Sequence, residues 1–267
     1  MTLLDTVVVA VVLAVVHSDC AFEVRELAHA TCLRIRGDPI TMALVTVASG
    51  LPDEFVRGLR RNRLRYVAAH PTTEYCEYNA TLDASRPLAW TKVRALEQIF
   101  ARADAPAIAT WIDADALIMD RAQSFEEVAG RDVTLAVMGR KYARGEADQR
   151  ALPNTGVLVA RNTPWTRSFL RAVYAGYPEA WASANFEQAA IHLYAQRRAV
   201  DFARHATIVP YERLNSPTAA YKPGDFVCHH AGRRGAAAKY IAMVDAFRMG
   251  DVNQSKCCAQ PCARTPG

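Results

Sequence analysis

Apolar residues gather into short unbroken runs, and longer stretches with helical spacing separate those runs. The runs at 42–48, 74–78, 107–110, 132–138, 155–160, 206–210 and 225–228 read as strands, several apolar enough to be buried on both faces. Between them, 52–70 opens with Pro52, Asp53 and Glu54 and places Phe55, Leu59, Tyr66 and Val67 on one side, the pattern of an amphipathic helix. A second helix is expected over 89–101, with Trp90, Val93, Leu96, Ile99 and Phe100 as its buried stripe. Ser124 followed by Glu127 marks a short capped helix over 124–129, and Pro164 opens another over 164–174. A fifth covers 186–198, while 21–39 is mixed and takes no assignment. Strands alternating with helices predict an α/β sheet with a mainly parallel core in a single domain.

The chain has 267 residues, half of them apolar, which suits one sizeable core. Its net charge of +5 is modest, and no long basic stripe with interleaved aromatics is present, so no nucleic-acid partner is expected. Arg57, Arg60, Arg61, Arg63 and Arg65 fall on the first helix and read as a solvated face. The apolar run 6–16 is shorter than the ~20 residues a membrane span needs. With the small residues that follow, it reads as a signal peptide or the remnant of a signal anchor over 1–21, allowing membrane association through the N-terminus. Seven cysteines, Cys20, Cys32, Cys76, Cys228, Cys257, Cys258 and Cys262, predict some disulfides in an oxidising compartment. There the sequons at Asn79 and Asn253 would accept a glycan. The main domain is expected over 41–250, with a cysteine-containing tail over 251–267.

The most informative segment is Trp111-Ile112-Asp113-Ala114-Asp115, two carboxylates spaced i, i+2 at the end of a buried strand. Such oxygens are hard ligands for Mg²⁺ or Mn²⁺ and repel one another unless a cation or donor lies between them. The carboxyl end of a strand in an α/β sheet is also where ligands usually bind. A metal–diphosphate is the natural guest. The end of the first apolar strand, Ala48-Ser49-Gly50, suits the base of a nucleotide. The polar, basic stretch 139–149 reads as a loop over the site.

Further segments complete a series in fixed order: Trp90-Thr91-Lys92, then the D-x-D segment, Asn154-Thr155-Gly156, Glu187-Gln188, and His229-His230-Ala231-Gly232. Together they resemble the galactosyl-, mannosyl- and xylosyltransferase family related to fungal GMA12/MNN10 proteins and plant xyloglucan xylosyltransferases. That resemblance implies a GT-A fold, a nucleotide-sugar donor, a glycan or polysaccharide acceptor, Mn²⁺ (with Mg²⁺ as the alternative) and a retaining transfer in the Golgi lumen. It implies that Asp115 ligates the metal directly, that Asp113 contacts the donor and assists, and that His229 is the third ligand. Gly232 would let the backbone approach the phosphates, Arg234 stands where the family has Lys, and Lys92 would reach the donor. Glu187 stands in place of the usual Asp. It is the candidate to face the sugar opposite the leaving group, with Gln188 orienting and Asn154 lining the acceptor pocket. His230 replaces a common Phe and competes with His229 as the ligand.

Two rival functions fit parts of the pattern. A phosphohydrolase would use Asp113 as nucleophile and Asp115 as acid, but it leaves the H-x-x-G segment without a task. A sugar-binding pseudoenzyme would keep the fold without turnover. Among aromatic residues, Trp181 is the candidate to stack on an acceptor sugar, whereas Trp90, Trp111 and Trp165 read as core.

Overall fold

The computed structural model describes residues 22–137, 153–181 and 183–231. The N-terminal apolar run, Cys20, the 139–149 stretch, Gly232, Arg234, Asn253 and the cysteine tail lie outside the described residues.

Strands β1 (Phe22–Leu27) and β2 (Ala30–Ile35) form a hairpin in the stretch that pattern reading leaves unassigned. β2 pairs antiparallel with β4 (Thr73–Tyr78), so the folded unit starts ahead of the expected boundary at 41. Cys32 and Cys76 are register partners across that pairing and form a disulfide. β3 (Met42–Val47) lies parallel to both β4 and β5 (Ile108–Ile112). Every residue of β3, β4 and β5 is buried, because helices cover both faces.

Beyond β5 the sheet departs from the parallel arrangement. β8 (Pro153–Arg161) runs antiparallel to β5 and to β7 (Val133–Val137), and β9 (Ala206–Val209) is parallel to β7. The eight strands lie in the order β1-β2-β4-β3-β5-β8-β7-β9. The sheet is therefore mixed, with parallel pairing in β4-β3-β5 and again in β7-β9.

Helix α1 (Asp53–Ala69) buries Phe55, Leu59, Leu64, Tyr66 and Val67 against one face. On the other, α2 (Thr91–Ala101) packs with α4 (Pro164–Ala175), and α4 with α5 (Phe186–Arg197). Two shorter helices, α3 (Phe125–Val128) and α6 (Ala199–His205), complete the layers. Among the described residues, no helix is long and apolar enough to cross a membrane.

A second, three-stranded sheet positions the chemistry. β11 (Val227–His229) pairs parallel with β10 (Ser216–Pro217) and antiparallel with β6 (Ala116–Ile118). Its register sets His229 opposite Ala116, immediately beside the D-x-D segment.

Candidate active site

Asp113, Ala114 and Asp115 form the turn between β5 and β6. The Ala116 amide closes the turn onto the Asp113 carbonyl at 3.0 Å, and the Asp113 amide donates to the Gly156 carbonyl at 2.7 Å. Both carboxylates are half-buried. The side chain of His229, only 3 % exposed, reaches them from β11, with Nε2 3.2 Å from Asp115 Oδ1 and 3.8 Å from Asp113 Oδ2.

Strand alternation decides between the two histidines. His229 faces the carboxylates, and His230 turns away to bond Thr218 Oγ1 at 3.0 Å through Nδ1. The His230 amide still serves the site by donating to the Asp115 carbonyl at 2.8 Å.

Gly156 explains how the imidazole fits. A Cβ there would lie 2.0 Å from His229 Cε1, so any side chain would displace the ring. The glycine of the N-T-G segment thus clears space for His229, a stronger role than that of a turn residue.

One ligand atom from each of Asp113, Asp115 and His229 can be chosen so that all lie within 4.8 Å of one another. Two carboxylate oxygens and an imidazole nitrogen suit a divalent cation that accepts mixed O/N ligation, so the residues fit the metal that the motifs imply.

Lys92 lies on the other side of Asp113. It is buried, whereas the motif reading has it reaching outward to a donor. Its ammonium donates to the Thr155 carbonyl at 2.8 Å and to Glu187 Oε1 at 2.6 Å, and it lies 3.3 Å from Asp113 Oδ1. Thr155 Oγ1, at 3.2 Å, is a further acceptor, so all three ammonium hydrogens find partners. Burial works against the charge, but Asp113 and Glu187 outweigh it and raise the amine above the ordinary lysine value. Lys92 therefore braces Asp113 from behind the turn.

Asp113 Oδ1 also accepts from Trp111 Nε1 at 2.6 Å, and with Oδ1 so occupied, Oδ2 is the oxygen that faces His229. Trp111 is core, as its pattern suggests, and it also orients a carboxylate.

Glu187 is 3 % exposed, and the oxygen that meets Lys92 also accepts from Thr155 Oγ1 at 3.0 Å. The Glu187 carboxylate is thus engaged in a buried ion pair with Lys92. Gln188 Oε1 accepts from Asn154 Nδ2 at 3.0 Å and from the Thr155 amide at 3.1 Å. Asn154 Oδ1 in turn accepts from the Gly156 amide at 2.8 Å and from Asn215 Nδ2 at 2.7 Å. The structure thus brings Lys92, Asn154, Glu187 and Gln188 together around Thr155, a residue the motif reading assigns no role. Ala48 and Ser49 follow β3 directly, and the Ala48 amide donates to the Tyr78 carbonyl at 2.8 Å.

Next to the start of α5 lies an aromatic rim. Trp181 is 39 % exposed, and the Arg86 guanidinium sits 4.1 Å from its ring centroid. The same guanidinium lies 3.7 Å from the Tyr174 ring and 4.9 Å from that of Trp90. Phe186, also exposed, begins α5 with φ at 48°, an uncommon conformation for a bulky residue. Leu88, on the turn Leu88–Trp90 that packs against α5, is exposed as well.

A glycosyltransferase involved in glycosylation of the major capsid of PBCV-1 shares this architecture. It is 15% identical, covers 78% of this chain and 98% of its own, and has a TM-score of 0.57. The chain has a GT-A fold. The galactosyltransferase LgtC, solved with donor and acceptor sugar analogs, also matches at 14% identity over 79% of this chain and 96% of its own, with a TM-score of 0.49. The glycosyltransferase GlyE of Streptococcus pneumoniae TIGR4, in its apo form, matches at 11% identity over 83% and 65%, with a TM-score of 0.43. No family model matches the sequence, and no curated protein does.

Proposed function

We propose that the protein is a retaining glycosyltransferase of the GMA12/MNN10-related type. It would move a hexosyl or xylosyl group from a nucleotide-sugar, by preference a UDP-sugar, to a hydroxyl of a glycan or polysaccharide. The carrying observation is the convergence of Asp113, Asp115 and His229, from segments far apart in sequence, at the strand ends of a GT-A fold.

In this reading Asp113, Asp115 and His229 hold Mn²⁺ or Mg²⁺. When bound, the cation stabilises the charge that grows on the diphosphate as it leaves. Ala48 and Ser49 line the nucleotide end, and Arg234, shortly after His229 in sequence, neutralises phosphate. Lys92 and Trp111 hold Asp113 to one orientation. Asn154 and Gln188 present a fixed polar edge to the sugar.

Commitment of Glu187 to Lys92 favours attack by the acceptor hydroxyl from the leaving-group side. The new bond forms between the acceptor oxygen and the anomeric carbon, the bond to the phosphate oxygen breaks, and that oxygen takes the hydroxyl proton. Trp181 and Phe186 receive the acceptor, since exposed aromatic faces suit the apolar faces of pyranose rings.

A lumenal setting in the secretory pathway, the Golgi in particular, is part of the same proposal. The Cys32–Cys76 disulfide and the exposed sequon asparagine Asn79 support it.

Incubating the purified chain with Mn²⁺, a panel of UDP- and GDP-sugars and oligosaccharide acceptors tests the reading. Nucleotide release that an acceptor stimulates is the expected result. Phosphate release from simple esters would transfer the assignment to a phosphohydrolase, and donor binding without turnover would make the protein a pseudoenzyme.

A further inference from the structure

The arginine-rich stretch of α1 hides one residue that is not solvated. Arg63 is 0 % exposed, which corrects the reading of all five arginines as a surface face. It follows Phe55 and Leu59 along the buried stripe of the helix, so its guanidinium passes under the D-x-D turn.

Arg63 Nη2 donates to the Ala116 carbonyl at 2.6 Å and to the Asp113 carbonyl at 3.2 Å. One nitrogen thus grips both ends of the turn that carries the two carboxylates. Nη1 donates to Asn62 Oδ1 at 2.6 Å. Asn62 extends the clasp along β6, accepting from the Ile118 amide at 3.1 Å and donating to the Ile118 carbonyl at 2.8 Å.

An apolar side chain would fill the same helix face without desolvating a charge. Burial is the main influence on this guanidinium and lowers it to about 10, while Tyr75, Asp113, Asp115 and Glu77 act to raise it. The charge remains cationic at neutral pH, and it lies behind two carboxylates that repel each other.

We infer that Arg63 is a positioning residue for the cation site. It fixes the backbone of the Asp113–Ala116 turn and offsets the repulsion between Asp113 and Asp115, so that both carboxylates face His229 before any cation arrives. The inference rests on the reading that Asp113, Asp115 and His229 bind a divalent ion.

Mn²⁺ binding to the full chain, followed by the electron paramagnetic resonance signal of the free ion, provides the test. Arg63→Lys keeps the charge and most of the stem but loses the two-carbonyl grip, and Arg63→Met loses both. Both variants should bind Mn²⁺ about 10- to 100-fold more weakly, as when groups that orient metal ligands are removed. Asn62→Ala removes the bonds to β6 and the acceptor of Nη1 but leaves the Nη2 grip on the turn, so it should lose less. An Arg63→Lys protein with native circular dichroism and Mn²⁺ affinity within twofold of the parent would overturn the inference.

Amide hydrogen exchange of the unaltered, metal-free chain gives a readout that needs no variant. The Ala116 amide should exchange as slowly as those of β5, and exchange at the rate of an open loop would overturn the positioning role. Parent protein that binds no Mn²⁺ would sink the metal reading beneath it, and Ala116 exchange faster in Arg63→Lys than in that protein would show that the clasp itself stands.

Discussion

The wall of the site that carries Asp113, Asp115 and His229 is packed and bonded from behind, whereas the wall that carries Trp181 and Phe186 stands open. On the first wall, Trp111, Lys92, Arg63 and Gly156 each restrict one carboxylate, the turn backbone or the imidazole, and all but Gly156 are buried side chains donating to the turn. On the second, the Arg86 guanidinium lies against the Trp181 ring, and the remaining surface of that ring is partly exposed. The contrast fits the two tasks proposed for the site. Two like charges must be held in one orientation inside a low-dielectric wall, where small displacements change Coulomb energies strongly. A neutral acceptor gains mainly from contact area on a rigid ring, so that wall need not be enclosed.

The comparison breaks first if the buried wall proves dispensable. Asp115→Ala removes a carboxylate that lies 3.2 Å from His229. Acceptor-stimulated nucleotide release should fall by about 10²- to 10³-fold, the scale seen when a group that stabilises transition-state charge is deleted. Residual turnover within tenfold of the parent would remove Asp115 from the chemistry.

Much of this wall was legible in the chain. The D-x-D pair ends a run too apolar for a surface strand, and the α/β alternation located that strand inside a sheet. What escaped was non-local. Antiparallel β8 enters the sheet beside β5 because of how strands stack, a matter on which periodicity is silent. The burial of Lys92 depends on acceptors from β8 and α5, which come together only in the folded chain. Arg63 could have been found: it lies four residues after Leu59 on the apolar stripe. A positive charge in that register is a signal when the helix must pass beneath an acidic turn. The 22–35 hairpin stayed unassigned because its strands bury only alternate or scattered positions, a pattern weaker than that of the central runs.

A subtler change sharpens the contrast by moving only the imidazole. In Gly156→Ala the new methyl would sit 2.0 Å from His229 Cε1, so the ring must shift. Mn²⁺ affinity should drop by about 10- to 100-fold while both carboxylates remain in place. Affinity equal to the parent would show that the ring has slack and that the wall is less rigid than its contacts imply.

On the open wall, Trp181→Ala should act on the acceptor alone. Loss of one stacking contact should raise the acceptor KM by roughly 2- to 13-fold, as expected for about 0.5–1.5 kcal/mol. Donor hydrolysis without acceptor, and Mn²⁺ affinity, should not change. A fall in donor hydrolysis would mean that the two walls are coupled through Arg86 and α2.

The smallest expected effect lies at the seam, because α5 contributes Phe186 to one wall and Glu187 to the other. Further along α5, His192 Nε2 donates to the Pro153 carbonyl at 2.7 Å, pinning the helix to the start of β8. Burial lowers this imidazole below the ordinary histidine value, and the bond to Pro153 only partly opposes that shift. The folded protein therefore prefers the neutral ring. As pH falls through about 6.5, the unfolded chain takes up a proton that the folded chain refuses. The stability contributed by the neutral ring is complete above that value, declines below it, and levels off once pH drops beneath the lowered folded value. Thermal melts of the parent should thus lose stability between pH 7 and pH 5 at no more than about 1.4 kcal/mol per pH unit from this group. His192→Gln keeps an amide donor for Pro153 but cannot titrate, and its melting temperature should fall less over the same interval. An identical decline in both proteins would place the acid sensitivity elsewhere and leave the seam held by the Lys92–Glu187 pair.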